Sequence, residues 1–209
     1  MKRSRAQIVL LAIVAAAVVV ASAAMARVNG TIFDRPEPVR AFTLDDHGGK
    51  PFTAEQLKGR WSLILTGFTS CPDVCPFTLA NLEQVVAELG LLVRPDRLPA
   101  VIFLAVYPDR DRPNLKEYVT QFHPDFIGLT GALDQIENAL KGIDAVAVRL
   151  KPDARGNYQV NHTAAVAVID PQARLVAKIN PPFEPAPTAQ FLADLIRRYG
   201  NARSPEGGR

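Results

Sequence analysis

The sequence lacks an excess of charge of either sign once its first 26 residues are set aside. Its 24 basic residues include Lys2, Arg3 and Arg5, and the rest of the chain has 21 basic and 21 acidic residues. No arginine-rich or lysine-rich run occurs in that part, which excludes the electrostatic surface typical of nucleic-acid-binding proteins. We therefore expect no nucleic-acid partner.

The sequence also lacks the composition of a disordered, collagen-like or low-complexity chain. Charged residues make up 22% of the 209 positions, and there are 13 glycines and 17 prolines without a repeat. The hydrophobic fraction of 48% is ample for a core, and the length suits one ordinary domain with short extensions.

The N-terminus carries the pattern of a membrane signal. Residues 8–26 are uncharged and mainly apolar, and basic residues precede them. A helix over these residues would be roughly 28 Å long, close to the hydrocarbon thickness of a bilayer. We predict a single transmembrane anchor within residues 1–26, with the remainder on the periplasmic or outer side of the cytoplasmic membrane. The alternative is a signal peptide cleaved after small residues near 23 or 26, which would release the protein on that side.

The remaining chain reads as one α/β domain over residues 37–200. Residues 27–36 have no apolar period and are predicted to be a linker, and 201–209 a flexible tail. A hairpin is expected from residue 39, and strands are expected at 61–69, 99–106, 126–129, 145–150, 163–169 and 175–179. Helices are expected from Pro76 until Gly90, which would lie just past the helix end, at 113–122, at 133–143, and from Thr188 as N-cap to Gly200. This order predicts a mixed sheet flanked by helices.

The two cysteines, Cys71 and Cys75, lie between the first buried strand and its helix. Open α/β sheets place functional sites at this end of a strand. Pro76 suits the first helical position, which would put Cys75 near the N-cap. The exposed N–H groups there stabilise a thiolate, so we expect a lowered pKa for Cys75.

Three kinds of site fit this cysteine pair. A structural Cys71–Cys75 disulfide would close a short loop and add little stability. A redox-active pair is the second kind, although thioredoxin-type enzymes normally have two residues between their cysteines and this chain has three. A soft-metal site is the third kind, and it needs a further ligand.

His162 is the best candidate for that ligand, because it precedes a predicted buried strand and so lies at one end of the sheet. Two thiolates and one imidazole favour copper, as Cu(I) or Cu(II), over hard ions. His47 and His123 are expected to be ordinary loop residues. Spacing alone does not link His162 to the cysteines.

Residues 68–79 (FTSCPDVCPFTL) closely resemble the signature of the Sco family, also called SenC, whose members are copper chaperones of cytochrome c oxidase assembly. The resemblance continues through residues 107–113 (YPDRDRP), 126–131 (FIGLTG) and 158–163 (YQVNHT). It implies a thioredoxin-like fold and copper held by Cys71, Cys75 and His162. Family members are usually anchored by one N-terminal helix, which favours retention of the anchor.

Two positions depart from the family pattern. Asn161 stands where an aspartate commonly precedes the histidine, and Tyr107 replaces the aspartate that commonly begins the second motif. Fewer carboxylates would make the site less anionic and give a bound cation less electrostatic support. Asp73, within the cysteine motif, and Asn161 are the residues expected beside the ligands.

The resemblance implies that the protein receives copper from a donor and delivers it to the dinuclear copper site of cytochrome c oxidase or to another cuproprotein client. Only Met1 and Met25 are methionines, so the domain has no thioether ligands. The alternative function is enzymatic: a membrane-facing thiol–disulfide oxidoreductase that uses Cys71 and Cys75 to keep a client's copper-binding cysteines reduced. The sequence leaves open whether the protein is an enzyme.

Overall fold

The structure is a computed structural model, and it describes residues 28–151, 160–182 and 184–200. The predicted membrane segment and the predicted tail lie outside the described residues. Among the helices that are described, none has the length and apolar character needed to cross a membrane.

A mixed eight-stranded sheet forms the centre of the described structure. Its strands, in chain order, are β1 Gly30–Pro38, β2 Thr43–Asp46, β3 Pro51–Thr53, β4 Ser62–Gly67, β5 Ala100–Ala105 and β6 Ile127–Thr130, followed after the ribbon described below by β9 Val166–Ile169 and β10 Arg174–Ile179. Their order in space is β1-β10-β9-β4-β5-β6-β2-β3. Strands β4, β5 and β6 are parallel, and the other pairs are antiparallel. The predicted mixed sheet is therefore confirmed.

Helices cover both faces of this sheet. They are α1 Val74–Gly90, α2 Pro108–Asp111, α3 Leu115–Thr120, α4 Leu133–Gly142 and α5 Pro185–Gly200. Because successive strand residues point to opposite faces, Leu63 and Leu65 of β4 pack in the cluster with α1 and α5, and Ile64 packs in the cluster with α4. Burial of both faces explains why the central strands are continuous apolar runs in the sequence.

The predicted linker at 27–36 is wrong for most of its length, because residues 30–38 form strand β1. Gly30 pairs with Ile179 and Pro38 with Arg174, both in β10. The register is irregular between Ile32 and Glu37. An edge strand tolerates proline because one side of its backbone has no strand to bond, so the two prolines hid the strand from pattern reasoning.

The last helix also differs from its prediction. It begins at Pro185, so Thr188 lies inside the first turn and is not the N-cap. The Thr188 N–H donates to the Glu184 carbonyl at 3.0 Å, as a helical residue does. Proline is well suited to the first helical position because its fixed φ is helical and its missing N–H would have no partner there.

Residues near 145–150 form a strand, as predicted, but outside the main sheet. Strand β7 Ala147–Arg149 pairs antiparallel with β8 Val160–His162 in a separate two-stranded ribbon. The ribbon lies beside the carboxyl ends of the parallel strands β4 and β5. It thereby supplies residues from late in the chain to the loops that follow β4 and β5.

Candidate functional site

Cys71 and Cys75 lie just past the end of β4, as predicted. Cys71 is half-buried in the loop, and its N–H donates to the Phe68 carbonyl at 3.1 Å. Cys75 is fully buried in the first turn of α1. The helix starts at Val74, with Asp73 as N-cap, so Pro76 is its third residue and not its first. Both cysteines are free thiols.

The Cys75 thiol occupies space that only a glycine at the end of β4 leaves open. A β-carbon placed on Gly67 would lie 2.7 Å from Cys75 Sγ and 2.7 Å from the ring of Phe103. Distances this short are repulsive, so any larger residue at position 67 would displace one of these side chains. Gly67 therefore fixes how deeply the thiol is buried.

His162 is brought to the cysteine pair by the β7–β8 ribbon. Its Nε2 lies 3.8 Å from Cys75 Sγ, although the two residues are 87 positions apart. Its Nδ1 is 3.1 Å from the Thr163 carbonyl, which can only accept, so Nδ1 carries the proton and Nε2 presents its lone pair to the sulfur. The Thr66 hydroxyl donates to the same carbonyl at 2.7 Å and ties this segment to the end of β4.

Aromatic packing also holds the histidine ring. The Phe68 ring meets the His162 ring edge-on, with 5.9 Å between centroids. The Arg110 guanidinium in turn lies over the Phe68 ring, 5.0 Å from its centroid. His162 thus has a fixed orientation as well as a fixed position.

The predicted lowering of the Cys75 pKa is wrong. Burial raises the pKa of this thiol, and its hydrogen bond with Cys71 raises it further, whereas the bond from the Phe68 backbone N–H lowers it. Loss of water around a charged sulfur outweighs the helix N-terminus, because desolvation disfavours the thiolate directly. Cys75 is therefore a protonated thiol at neutral pH, and it must lose that proton to bind a metal.

The three predicted ligands are close to one another, but they are not arranged around a shared metal position. Within the described ranges, no group of three or more His, Cys, Asp or Glu side chains is already arranged to hold a metal ion. Cys75 contacts both Cys71 and His162, so it is the link between them. A site with all three ligands therefore requires a side-chain movement.

No hydrogen bond that the structure describes joins either sulfur to Asp73, Asn161, His47 or His123. Asp73 and Asn161 are both exposed, and Asn161 faces away from His162 because adjacent strand residues point to opposite sides. His47 Nδ1 accepts a hydrogen bond from the Gly128 N–H at 2.9 Å. His123 Nδ1 accepts one from the Asp125 N–H at 3.1 Å.

Asp111 is a residue near the site whose role pattern reasoning missed. It is fully buried and accepts hydrogen bonds from the Thr69 N–H and hydroxyl, both at 2.9 Å, and from the Tyr107 N–H at 3.2 Å. It therefore joins the loop before Cys71 to the loop after β5. Burial raises its pKa, although these hydrogen bonds act in the opposite direction. Its position in the 107–113 motif was the available signal.

Comparison with known proteins supports the resemblance found in the sequence. A sequence model of the SCO1/SenC family matches residues 33–197. The mitochondrial protein SCO2 of Saccharomyces cerevisiae is 34% identical over 165 residues, which are 76% of this chain and 52% of the yeast protein. This chain thus spans about half the length of that relative.

Solved structures show the same fold. The Arabidopsis thaliana ScoI structure with copper bound superposes with a TM-score of 0.70 at 26% identity, over 77% of this chain and 99% of that one. The Bradyrhizobium japonicum ScoI structure with copper bound gives 0.66 at 32% identity, over 78% and 99%. The predicted thioredoxin-like arrangement is thereby confirmed. On its sequence and its fold, this chain belongs to the SCO1/SenC family.

Proposed function

We propose that this protein binds copper through Cys71, Cys75 and His162 and delivers it to a copper site of cytochrome c oxidase during assembly. The observation that carries the proposal is the 3.8 Å approach of His162 Nε2 to Cys75 Sγ, with His162 Nδ1 turned toward the Thr163 carbonyl. Thiolates suit Cu(I), and an added imidazole nitrogen suits Cu(II) as well. Relatives from two organisms have been solved with copper bound.

Transfer of the metal needs an open side to the site. Cys71 is half-buried, and Val74 and Phe77 in the first turn of α1 are 45% and 63% exposed. Exposed apolar side chains next to a functional group are typical of surfaces that bind a partner protein. A client's ligands can approach from this side and replace the half-buried Cys71 first.

Delivery to an oxidase also places the protein at a membrane. The anchor at residues 1–26 would hold the domain on the outer side of the cytoplasmic membrane, where the copper donor and the client meet it.

The contact between the two thiols supports the alternative function, that of a thiol–disulfide oxidoreductase. Cys71 and Cys75 are close enough to share a hydrogen bond, so an intramolecular disulfide requires little movement. The raised pKa of Cys75 disfavours it as an attacking thiolate, which leaves Cys71 as the nucleophile. A disulfide-reductase assay beside a metal titration separates the two functions.

The test of the ligand set is a copper titration of the full chain and of single variants. Cys71→Ser or Cys75→Ser should nearly abolish stoichiometric Cu(I) binding. His162→Ala should retain two-sulfur Cu(I) binding but change the electron paramagnetic resonance spectrum of bound Cu(II), because Cu(II) favours nitrogen.

The matched control for this titration is His123→Ala. The His123 ring accepts a hydrogen bond from the Asp125 N–H and packs beside Phe126, and no described contact joins it to either cysteine. Its removal should therefore change neither Cu(I) nor Cu(II) binding. Identical spectra and affinities in the two histidine variants would remove His162 from the site. Equal Cu(I) binding by the oxidised and reduced protein would remove thiolate ligation.

A further inference from the structure

Strand β1 begins at the end of the sheet that carries the candidate copper site, which we call the site end. Gly30 pairs with Ile179, the last residue of β10, and Ile179 pairs with Val166, the first residue of β9. Because β9 runs antiparallel to β4, the start of β9 lies beside the end of β4, and Cys75 follows that end. Neighbouring strands are about 4.8 Å apart, so the start of β1 lies roughly 14 Å to the side of β4.

The chain before β1 leaves little distance between the site end and the predicted anchor. The apolar run ends at residue 26, and four extended residues span at most about 14 Å, which limits how far Gly30 can lie from that run. Val28 already packs against the core cluster that includes α5. The other end of the domain is farther away, because the 17 residues of α1 lead from the site for about 25 Å. The site end is therefore the end nearest to the membrane.

The β7–β8 ribbon exposes apolar side chains at this same end. Val146, Val148 and Leu150 stand at alternate positions, so they point to one side of an extended chain, and they are 65%, 55% and 38% exposed. We call these three residues the ribbon stripe. Ala147, on the other side of β7, packs against the core cluster that includes α4. Adjacent exposed apolar side chains are typical of a surface that contacts another molecule.

We propose that the ribbon stripe rests on the lipid bilayer, so that the site end of the domain faces the membrane. The proposal rests on the anchor proposed above and adds the orientation of the domain. A lipid surface is the occupant because the short chain before β1 brings the bilayer to this end. Apolar side chains gain free energy on entering the boundary between head groups and acyl chains. Lys151, which follows the stripe, is exposed, and its charge attracts anionic head groups.

This orientation decides where a client meets the copper site. His162 pairs with Ala147 in the same ribbon, so it is held beside the membrane plane when the stripe contacts lipid. A client whose copper ligands lie close to the membrane surface can then reach the site while the domain stays on the bilayer.

The experiment uses the full chain in vesicles of phosphatidylcholine and phosphatidylglycerol, with or without bromine on the acyl chains. Bromine quenches tryptophan emission on contact. Trp61 is the only tryptophan in the sequence, and it is buried just before β4, away from the site end, so wild type should lose little emission. Val148→Trp should emit at shorter wavelength in vesicles and lose roughly a third to a half of its total emission to brominated lipid, because one of its two tryptophans enters the boundary region. Leu150→Trp repeats the measurement if the first variant does not fold.

The matched control is Leu91→Trp, because Leu91 is 82% exposed just after α1, at the opposite end of the domain. Bromine should quench it no more than it quenches wild type. Equal quenching of both variants, or stronger quenching of Leu91→Trp, would contradict the orientation. Quenching of neither variant, with the chain retained on the vesicles, would show that the stripe faces water or a partner protein.

A Cu(I) titration of the same samples separates this proposal from the copper-binding one. Copper binding without quenching of Val148→Trp would overturn the orientation alone. Quenching of Val148→Trp without copper binding would overturn the copper function alone. A chain that does not stay with the vesicles would overturn the anchor and the orientation together.

Discussion

At the scale of single residues, the depth of Cys75 depends on the missing side chain of Gly67. We predict that Gly67→Ala lowers the free energy of unfolding by about 1–3 kcal/mol, because its β-carbon would lie 2.7 Å from Cys75 Sγ and from Phe103. Cu(I) affinity should fall as well, because the thiol is displaced. Urea unfolding and a Cu(I) competition titration measure the two effects.

Gly90 provides the control for that substitution. It ends α1, and a β-carbon there would meet no atom within 4 Å. Gly90→Ala should leave stability unchanged or slightly raised, since alanine favours the helix, and copper binding should not change. Equal losses in the two variants would show that the contact with Cys75 is not the cause.

The buried carboxyl of Asp111 predicts a specific dependence of stability on pH. Burial raises its pKa in the folded protein, so the folded state binds this proton more tightly than the unfolded state does. The stabilisation from this group is therefore gained as the pH falls through the raised pKa toward the ordinary value, and it is lost as the pH rises.

The measurement compares wild type with Asp111→Asn, which cannot titrate, by urea unfolding from about pH 7 to about pH 4. Wild type should gain stability relative to Asp111→Asn as the pH is lowered. Asp109→Asn, an exposed neighbour in α2, is the matched control and should show no such trend. A difference that stays constant or grows with rising pH would contradict the assignment.

At the scale of elements, the β7–β8 ribbon positions His162, and one hydrogen bond ties it to the sheet. The Thr66 hydroxyl is buried at the end of β4 and donates to the Thr163 carbonyl at 2.7 Å. Thr66→Val keeps the side-chain shape and removes this bond, so stability should fall by about 1 kcal/mol.

The ribbon's role also predicts a difference between the two copper oxidation states. In Thr66→Val, Cu(II) binding should weaken because the imidazole is less well placed, while Cu(I) binding by the two sulfurs should persist. Electron paramagnetic resonance and Cu(I) titration check this pair of outcomes. Unchanged Cu(II) spectra would mean that the ribbon holds His162 without this bond.

The contribution of strand β1 to stability can be tested by truncation. A chain that begins at residue 39 lacks β1 and leaves one side of β10 unpaired. We expect this chain to unfold at a lower urea concentration and to aggregate through the exposed strand edge. A chain that begins at residue 28 keeps β1 and should unfold as the longer protein does. Equal stability of the two truncated chains would support the original prediction that these residues are a linker.

At the scale of the whole molecule, the attachment to a membrane is the main expectation that lies outside the described residues. The uncharged run at 8–26 and the basic residues before it predict that the full-length protein sediments with membranes and resists extraction by high salt. Deleting residues 1–26 should release a folded domain into the soluble fraction. N-terminal sequencing of the native protein is the check, because a mature chain beginning near Ala24 or Arg27 would identify a cleaved signal.

Much of the architecture follows from local sequence. The apolar runs at 61–69 and 99–106 became β4 and β5, because strands buried on both faces need apolar residues at every position. The cysteines could be placed at the end of β4 because they come shortly after the first of these runs. The amphipathic runs at 133–143 and 188–200 became α4 and most of α5.

The motifs around Cys71, Cys75 and His162 identified the family, and the sequence by itself also supplied the candidate ligands. What it could not determine was whether His162 reaches the cysteines, because 87 residues separate it from Cys75 and contact across that distance depends on how the ribbon packs. The direction of the Cys75 pKa shift also depends on tertiary structure. A helix N-terminus can be seen in sequence, but the burial that outweighs it comes from residues such as Phe103 that are distant in the chain.

The same physical reason accounts for β1 and Asp111. Local patterns report on neighbours within a few positions, so they specify which segments form strands and helices and which faces are apolar. They do not report which edge a proline-containing strand joins, or which carboxyl or hydroxyl is enclosed when segments pack. Sequence therefore determined the fold class and the donor atoms, and only the packed structure decided their distances, burial and protonation.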